Sequence, residues 1–352
     1  MMKRILLTLL ALLIAYLLFF PIKIEPMAWQ PPDNKGFTGQ FEENSILAST
    51  EIRFEESCLE CESVHVDTAN TIYGSSVTGD IWVYKQGREV GQILANTGGR
   101  PLGLQKDTLG NLLVVDSHKG LISIAVNGEI STLALTSDDD LAIGIADDLE
   151  IAEDGMVYFS DASWKFEIEG YKMDLLEHGP NGRLLSYNPA TKETKTLLSD
   201  LYFANGIAVS HEQDFVLVVE TGAYRVTRYW LKGAKVGTSD VLIDNLPGFP
   251  DGISQGENGI FWLAMVSPRD ATLDATLPRP FIRKIIARLP DFLKPKPKNY
   301  ACVFGINRDG EVLHNFQDPD GKFAQITCVT ERNGKLYFGS LGRNGVGVFD
   351  LE

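Results

Sequence analysis

Phe203-Ala204-Asn205-Gly206-Ile207 is followed by Phe215-Val216-Leu217-Val218-Val219-Glu220 and then by Tyr224-Arg225-Val226-Thr227-Arg228-Tyr229. The first piece opens on an amide and turns apolar. The second is apolar without a break. The third alternates polar and apolar. Runs of β-branched and aromatic residues bounded by Gly, Asn and Asp are strands, so the three pieces read as an entry strand, a buried strand and a more exposed one. The same order recurs in both directions. Upstream stand Asp80-Ile81-Trp82-Val83-Tyr84, Leu112-Leu113-Val114-Val115-Asp116 and Val157-Tyr158-Phe159-Ser160-Asp161; downstream stand Phe261-Trp262-Leu263-Ala264 and Leu336-Tyr337-Phe338-Gly339. Entry strands begin near Glu62, Gly103, Asp147, Asn205, Asp251 and Ile326. Most intervals are roughly forty to sixty residues, the blade period of a propeller. The expectation is an all-β chain folded as a six-bladed β-propeller over residues 51–352. A β-sandwich would not require the order to repeat.

The last interval is longer. It holds residues 267–299, whose centre, Arg279 to Leu289, places Phe281, Ile282, Ile285, Ile286 and Leu289 at helical spacing beside basic residues. This predicts a helical insertion near the fifth blade, either a lid or a membrane-contacting surface. At the N-terminus, Lys3 and Arg4 precede an uncharged apolar run from Ile5 to Phe20. Extended to residue 22, the run is about long enough to span a bilayer. The basic flank argues for a cytoplasmic N-terminus and an exported propeller, in periplasm, lumen or extracellular space. Residues 1–22 therefore read as a transmembrane signal-anchor and residues 23–50 as a tether. The alternative is a cleaved signal peptide and secretion, but Phe19-Phe20-Pro21-Ile22 supplies no small-residue cleavage site.

Thirty-two Lys and Arg stand against forty-seven Asp and Glu, a formal net charge of −15. That excludes a basic phosphate-binding footprint, so nucleic acid is not an expected partner. Four cysteines occur, Cys58, Cys61, Cys302 and Cys328. The pair Cys58-x-x-Cys61 has zinc or redox spacing, but no second pair matches it. In an oxidising compartment, a disulfide joining the first and last parts of the chain would staple a propeller closed.

The chemistry lies at the start of the entry strands. Glu62, Asp147, Asn205 and Asp251 recur at one place in the blade unit. Inner strands line a propeller's central channel, so these side chains converge although they are distant in sequence. Three carboxylates and an amide in one channel repel unless a cation sits among them. Hard oxygen donors without His or Cys select Ca2+. The competing reading is that Asn-Gly and Asp-Gly merely form turns.

These segments resemble the strictosidine synthase-like family, with paraoxonases and gluconolactonases more distant. The resemblance rests on Gly99-Arg100-Pro101-Leu102-Gly103-Leu104, Tyr158-Phe159-Ser160-Asp161, Gly182-Arg183-Leu184-Leu185, Asn205-Gly206, Leu246-Pro247-Gly248-Phe249-Pro250-Asp251 and Leu336-Tyr337-Phe338-Gly339-Ser340. It implies a six-bladed propeller with a channel calcium held by Glu62, Asp147, Asn205 and Asp251. Relatives usually carry Asn where Asp147 stands, and paraoxonases carry Asn where Gly252 stands. A second calcium of paraoxonases would need acids at Ser63 and Asp148, and only Asp148 is one. The family's synthases use a Glu in the last blade. The corresponding residue is Thr327, so the alkaloid-forming condensation is not expected.

The reading that follows is a calcium-dependent hydrolase acting on a small lipophilic ester, lactone or phosphotriester. His118, in the segment where paraoxonases carry a catalytic His, is the candidate base, although it also reads as an exposed loop histidine. Asp147 is a candidate for both ligand and base. The alternative is a non-catalytic, membrane-anchored binding module whose calcium only braces the channel.

Overall fold

The computed structural model describes residues 1–88 and 90–351. Among these, twenty-four strands form six antiparallel four-stranded sheets. Each sheet is a blade, and the innermost strands are Val64–Val66, Pro101–Lys106, Ala146–Ile151, Ala204–Val209, Gly248–Gln255 and Ile326–Arg332. They pack against one another in this order around the ring, and the last returns to the first. The second strands explain the uninterrupted apolar runs. Leu112–Asp116, Val157–Asp161 and Phe215–Glu220 are buried along their whole length, because neighbouring blades cover both faces. Each fully buried Val or Leu there contributes roughly 1.5–3 kcal/mol. The outermost strands are largely exposed, as in Glu193–Leu201.

The ring closes by hydrogen bonds. Glu51–Arg53 pairs with Val346–Asp350 and supplies the outermost strand of the sixth blade. The expected disulfide between the ends of the chain is absent. Cys58 and Cys61 are bonded to each other across a Cα–Cα distance of 5.3 Å, while Cys302 and Cys328 are free. The turn that leads into the first blade brings Cys58 and Cys61 within disulfide reach. Cys328 sits beside them across the seam, but its Sγ accepts the Val64 N–H at 3.1 Å.

Every seam between blades carries a polar bridge near the channel. Ser75 Oγ donates to Leu102 O, and Gln105 Oε1 accepts from Ile151 N. Asp148 Oδ2 accepts from Ile207 N, and Thr221 Oγ1 donates to Pro250 O. Ser254 Oγ donates to Val329 O, and Thr327 Oγ1 to Glu62 O. These bonds satisfy backbone groups that face the channel instead of a neighbouring strand of their own sheet. Asp148 is thus a bridge between the third and fourth blades.

Four α-helices are described: α1 (Met2–Phe19), α2 (Tyr171–Glu177), α3 (Ala271–Thr276) and α4 (Pro280–Ala287). α1 is long and apolar enough to cross a membrane and has no buried residue. α3 and α4 are the insertion in the fifth blade. α2 is a second insertion, in the third blade, which the sequence reading did not anticipate. Both insertions join a second strand to a third. Ala146 pairs with Asp161, and Gly248 with Pro268, so the helices emerge at the end of the ring where the inner strands begin.

The 23–50 segment is seated on the propeller. The Trp29 ring stacks on His178, whose other side stacks on Tyr202, at centroid distances of 4.3 and 4.6 Å. Phe37 stacks on Tyr300, and Phe41 packs against Phe304. Arg283, fully buried on α4, donates to the carbonyls of Leu176, Glu177, Leu277 and Met27. One guanidinium therefore ties the ends of α2 and α3 to the segment leading from α1.

Candidate metal centre

A register shift occurs at the same place in five of the six inner strands: Pro101/Leu104, Ala146/Leu149, Ala204/Ile207, Pro250/Ile253 and Ile326/Cys328. A β-bulge bends its strand and re-aims side chains. Three of these bulges enclose Asp147, Asn205 and Asp251. Glu62 lies just before the first inner strand, with its N–H on Ser75 O. Asn-Gly and Asp-Gly are strand residues here, so the turn reading of these pairs does not hold. Their glycines serve a different end. A Cβ on Gly206 would lie 2.3 Å from Ile253 N, and one on Gly252 would lie 2.3 Å from Thr327 O. Adjacent inner strands approach too closely for any side chain at these points, which keeps the channel narrow.

The four expected donors lie in one neighbourhood: a hydrogen bond joins Asn205 to Asp251, and the charges of Glu62 and Asp147 reach Asp251. Asp147, Asn205 and Asp251 are buried, and Glu62 is nearly so. Burial pushes Asp147 well above the ordinary carboxylate range, with Glu62 and Asp148 adding to the rise. Asp251 is raised in the same way by burial, Glu62 and Asp147, while a hydrogen bond from Asn205 opposes the rise. Glu62 is also raised by burial, against the opposing pull of Arg100. Three buried carboxylates, of which Glu62 raises both of the others and Asp147 raises Asp251, form with the amide a hard-oxygen donor set suited to a divalent cation. As the side chains stand, no three His, Cys, Asp or Glu among the described residues already converge in a metal-binding cluster.

Arg100 was not anticipated in this role. It enters from the second inner strand's approach and donates Nη2–H to Glu62 Oε2 at 2.7 Å. Its Nη1 is buried without a hydrogen-bond partner among the described residues. Buried acids at the ends of second strands hold the approaches to the inner strands. Asp116 Oδ1 accepts from Arg100 N, and Asp161 Oδ1 accepts from Gly144 N and Ile145 N. Glu220 Oε2 accepts from Tyr202 N. Arg183 neutralises Asp161 at 2.6 Å with both side chains almost wholly buried. Removing either partner would cost roughly 3–5 kcal/mol. The recurring terminal acid in Val115-Asp116, Ser160-Asp161 and Val219-Glu220 was the signal that could have revealed this.

The helical end of the channel is apolar. Leu102, Ile145, Ala162 and Phe203 form a buried cluster, with Phe166, Ile168 and Tyr171 packed on it. Tyr171, at the start of α2, is close enough that the Glu62 and Asp251 charges, after burial, raise its pKa. His118 lies in the turn after Leu112–Asp116, at the same end. Its side chain is 39% exposed and its Nε2 is 3.0 Å from Glu169 Oε1, just before α2. None of its described bonds reaches the four donors. Thr327 is buried and committed to Glu62 O. Glu331 accepts from Trp262 Nε1 at 2.6 Å and from Glu257 N. Neither supplies a free carboxylate at the synthase position. Beyond the donor ring, a polar cavity of about 200 Å³ continues down the channel, lined by Ser63, His65, Gln105, Asp148 and Glu150.

Comparison with known proteins agrees with this architecture. The family described as strictosidine synthase matches residues 147–234. The Arabidopsis thaliana protein strictosidine synthase-like 6 is 34% identical over 73% of this chain and 68% of its own. The Bos taurus adipocyte plasma membrane-associated protein is 33% identical over 92% of this chain and 83% of its own. Among solved structures, a Xanthomonas campestris gluconolactonase matches with a TM-score of 0.63 at 14% identity, covering 94% of this chain and 99% of its own. The calcium-binding protein regucalcin of Agrobacterium tumefaciens matches with a TM-score of 0.61 at 15% identity, covering 85% and 92%. The structural matches share the propeller, and two relatives exceed 30% identity over two thirds or more of both chains, so the chain belongs to the strictosidine synthase-like family of six-bladed β-propellers.

Proposed function

We propose that the protein is a membrane-anchored, calcium-dependent hydrolase of small lipophilic esters, lactones or phosphotriesters. The observation that carries this reading is the set of buried carboxylates Glu62, Asp147 and Asp251 with Asn205 at the inner strands, next to an apolar cluster at the helical end. The names of the gluconolactonase and of regucalcin support the reaction class and the cation, and the name of the adipocyte plasma membrane-associated relatives supports anchoring through α1. When bound, Ca2+ would polarise a carbonyl or phosphoryl oxygen.

The chain's own groups divide the remaining work. Phe166 and Tyr171, partly buried over the Leu102 and Phe203 cluster, bind the apolar part of the substrate and exclude water. Arg100 Nη1 is free to donate to an oxygen that gains negative charge. His118, held in one orientation by Glu169, takes a proton from attacking water at the rim. Asp147, whose buried carboxyl holds its proton above the ordinary range, exchanges that proton for the cation. Arg100 also favours a second reading, a binding module with a bracing calcium, because its 2.7 Å bond to Glu62 occupies a carboxylate oxygen at the site.

A panel of aryl esters, lactones and phosphotriesters, assayed with and without a calcium chelator, decides between them. Chelator-sensitive turnover of one class is expected, with His118→Gln lowering it on the order of a hundredfold. No chelator-sensitive turnover on any of them would leave the binding module.

A further inference from the structure

The chain is strongly acidic, yet residues 279–298 carry seven Lys and Arg against the single acid Asp291. This stretch comprises α4 and the turn Asp291–Leu293. It also exposes large apolar side chains: Phe281 by 61%, Phe292 by 74% and Leu293 by 57%. Exposed aromatic and aliphatic groups interleaved with lysines mark a surface that meets both acyl chains and anionic headgroups.

The position of this surface is fixed relative to α1. Arg288, just after α4, donates from Nε to Phe20 O at 2.7 Å and from Nη1 to Leu17 O at 3.1 Å. Tyr16 OH donates back to Arg288 O at 3.2 Å. The C-terminal end of α1 thus rests on the C-terminal end of α4. A bilayer crossed by α1 has its headgroup layer at that level. The buried Arg283 and its four carbonyls make α4, α2 and the 23–29 backbone one unit, so α4 cannot swing away from the membrane independently.

We infer that α4 and the turn after it form a second membrane contact that prefers anionic phospholipid. Phe281, Phe292 and Leu293 enter the acyl boundary, and Lys284, Lys296 and Lys298 meet the headgroups. This contact rests on the reading of α1 as the anchor. It sets the apolar mouth of the channel against the bilayer, where a lipophilic substrate is most concentrated.

The test is hydrogen–deuterium exchange on the full chain in nanodiscs of phosphatidylcholine alone and of phosphatidylcholine mixed with phosphatidylglycerol, after an alkaline wash. Amides of residues 281–293 are expected to exchange on the order of tenfold more slowly in the anionic discs. The variant Lys284→Glu/Lys296→Glu/Lys298→Glu should lose that difference with no change in exchange of the propeller strands. A second variant, Phe292→Ser/Leu293→Ser, should raise exchange in both disc types. Retention in the washed discs with equal exchange across both lipids and all variants overturns the contact and leaves the anchor standing. Release of the chain by the wash overturns both.

Discussion

Asp147 is buried against Glu62 and Asp148, and both raise its pKa after burial itself. Without a cation, this carboxylate costs the fold stability wherever it ionises. Asp147→Asn keeps an oxygen donor and removes the charge. The variant should be more stable than the parent in chelator near pH 8, by on the order of 1 kcal/mol. It should also bind Ca2+ on the order of tenfold more weakly. Thermal melts with and without calcium read both effects. An Asn variant that gains as much from calcium as the parent would remove Asp147 from the ligand set. The placement of Glu62, Asp147, Asn205 and Asp251 at the inner strands was legible because they recur at one point in a repeat. Arg100 was not, since an arginine before a proline carries no such period. Its position depends on a tertiary contact, the acceptance of its backbone N–H by Asp116.

At the level of the element, the inner strand is the working part. Its bulge turns donors into the channel, and its glycine lets the next strand approach. The strands were legible from aromatic and β-branched runs, whereas the bulges were not, because a register shift leaves no composition signal. α2 escaped for a related reason. Its seven residues give scarcely two turns, too few for a 3.6-residue period to stand out. The Cys58–Cys61 bond belongs to the same class of miss. Pairing of cysteines depends on the turn between them, and here that turn leads straight into Glu62. Cys61 O accepts from Ser340 N at 2.8 Å, and Cys58 O from Gly345 N at 2.7 Å, so the bonded pair pins the first blade to the sixth. Closing so short a loop is worth about 2 kcal/mol in the chain-entropy picture. Cys58→Ser/Cys61→Ser should lower stability by about that amount in denaturant titration, and should weaken calcium-dependent stabilisation through Glu62. An unchanged response to calcium would show that Ser75, Thr327 and Arg100 hold Glu62 in place without the disulfide.

Across the whole molecule, the channel makes stability depend jointly on pH and calcium, and the sign can be worked out. Burial pushes Asp148 and Glu150 up to about 7, and Asp147 and Asp251 rise as well. An acid whose folded pKa is raised holds its proton in the native state after the unfolded chain has released it. The native state then binds more protons, and stability falls as pH rises toward the folded pKa. Two histidines act in the opposite sense. His65 is lowered to about 4 and His178 to about 3, each chiefly by burial. Both therefore favour the fold as pH rises toward the ordinary histidine value of about 6.5. Acids held low by hydrogen bonds and ion pairs, such as Asp139 at about 2, are ionised in both states well below this range. Between about pH 6.5 and 8 the histidines no longer contribute a slope, and the raised acids set it, the channel acids together with Asp174 on α2, which burial also pushes up to about 7. The protein in chelator should lose stability across that window. Saturating Ca2+ should flatten the loss, because a bound cation replaces the protons that the donors otherwise retain. Stabilisation by calcium should thus be larger at pH 8 than at pH 6.5, a difference that melts at the two pH values measure directly. Equal calcium stabilisation at both would mean that the cation does not bind where Glu62, Asp147 and Asp251 compete for protons.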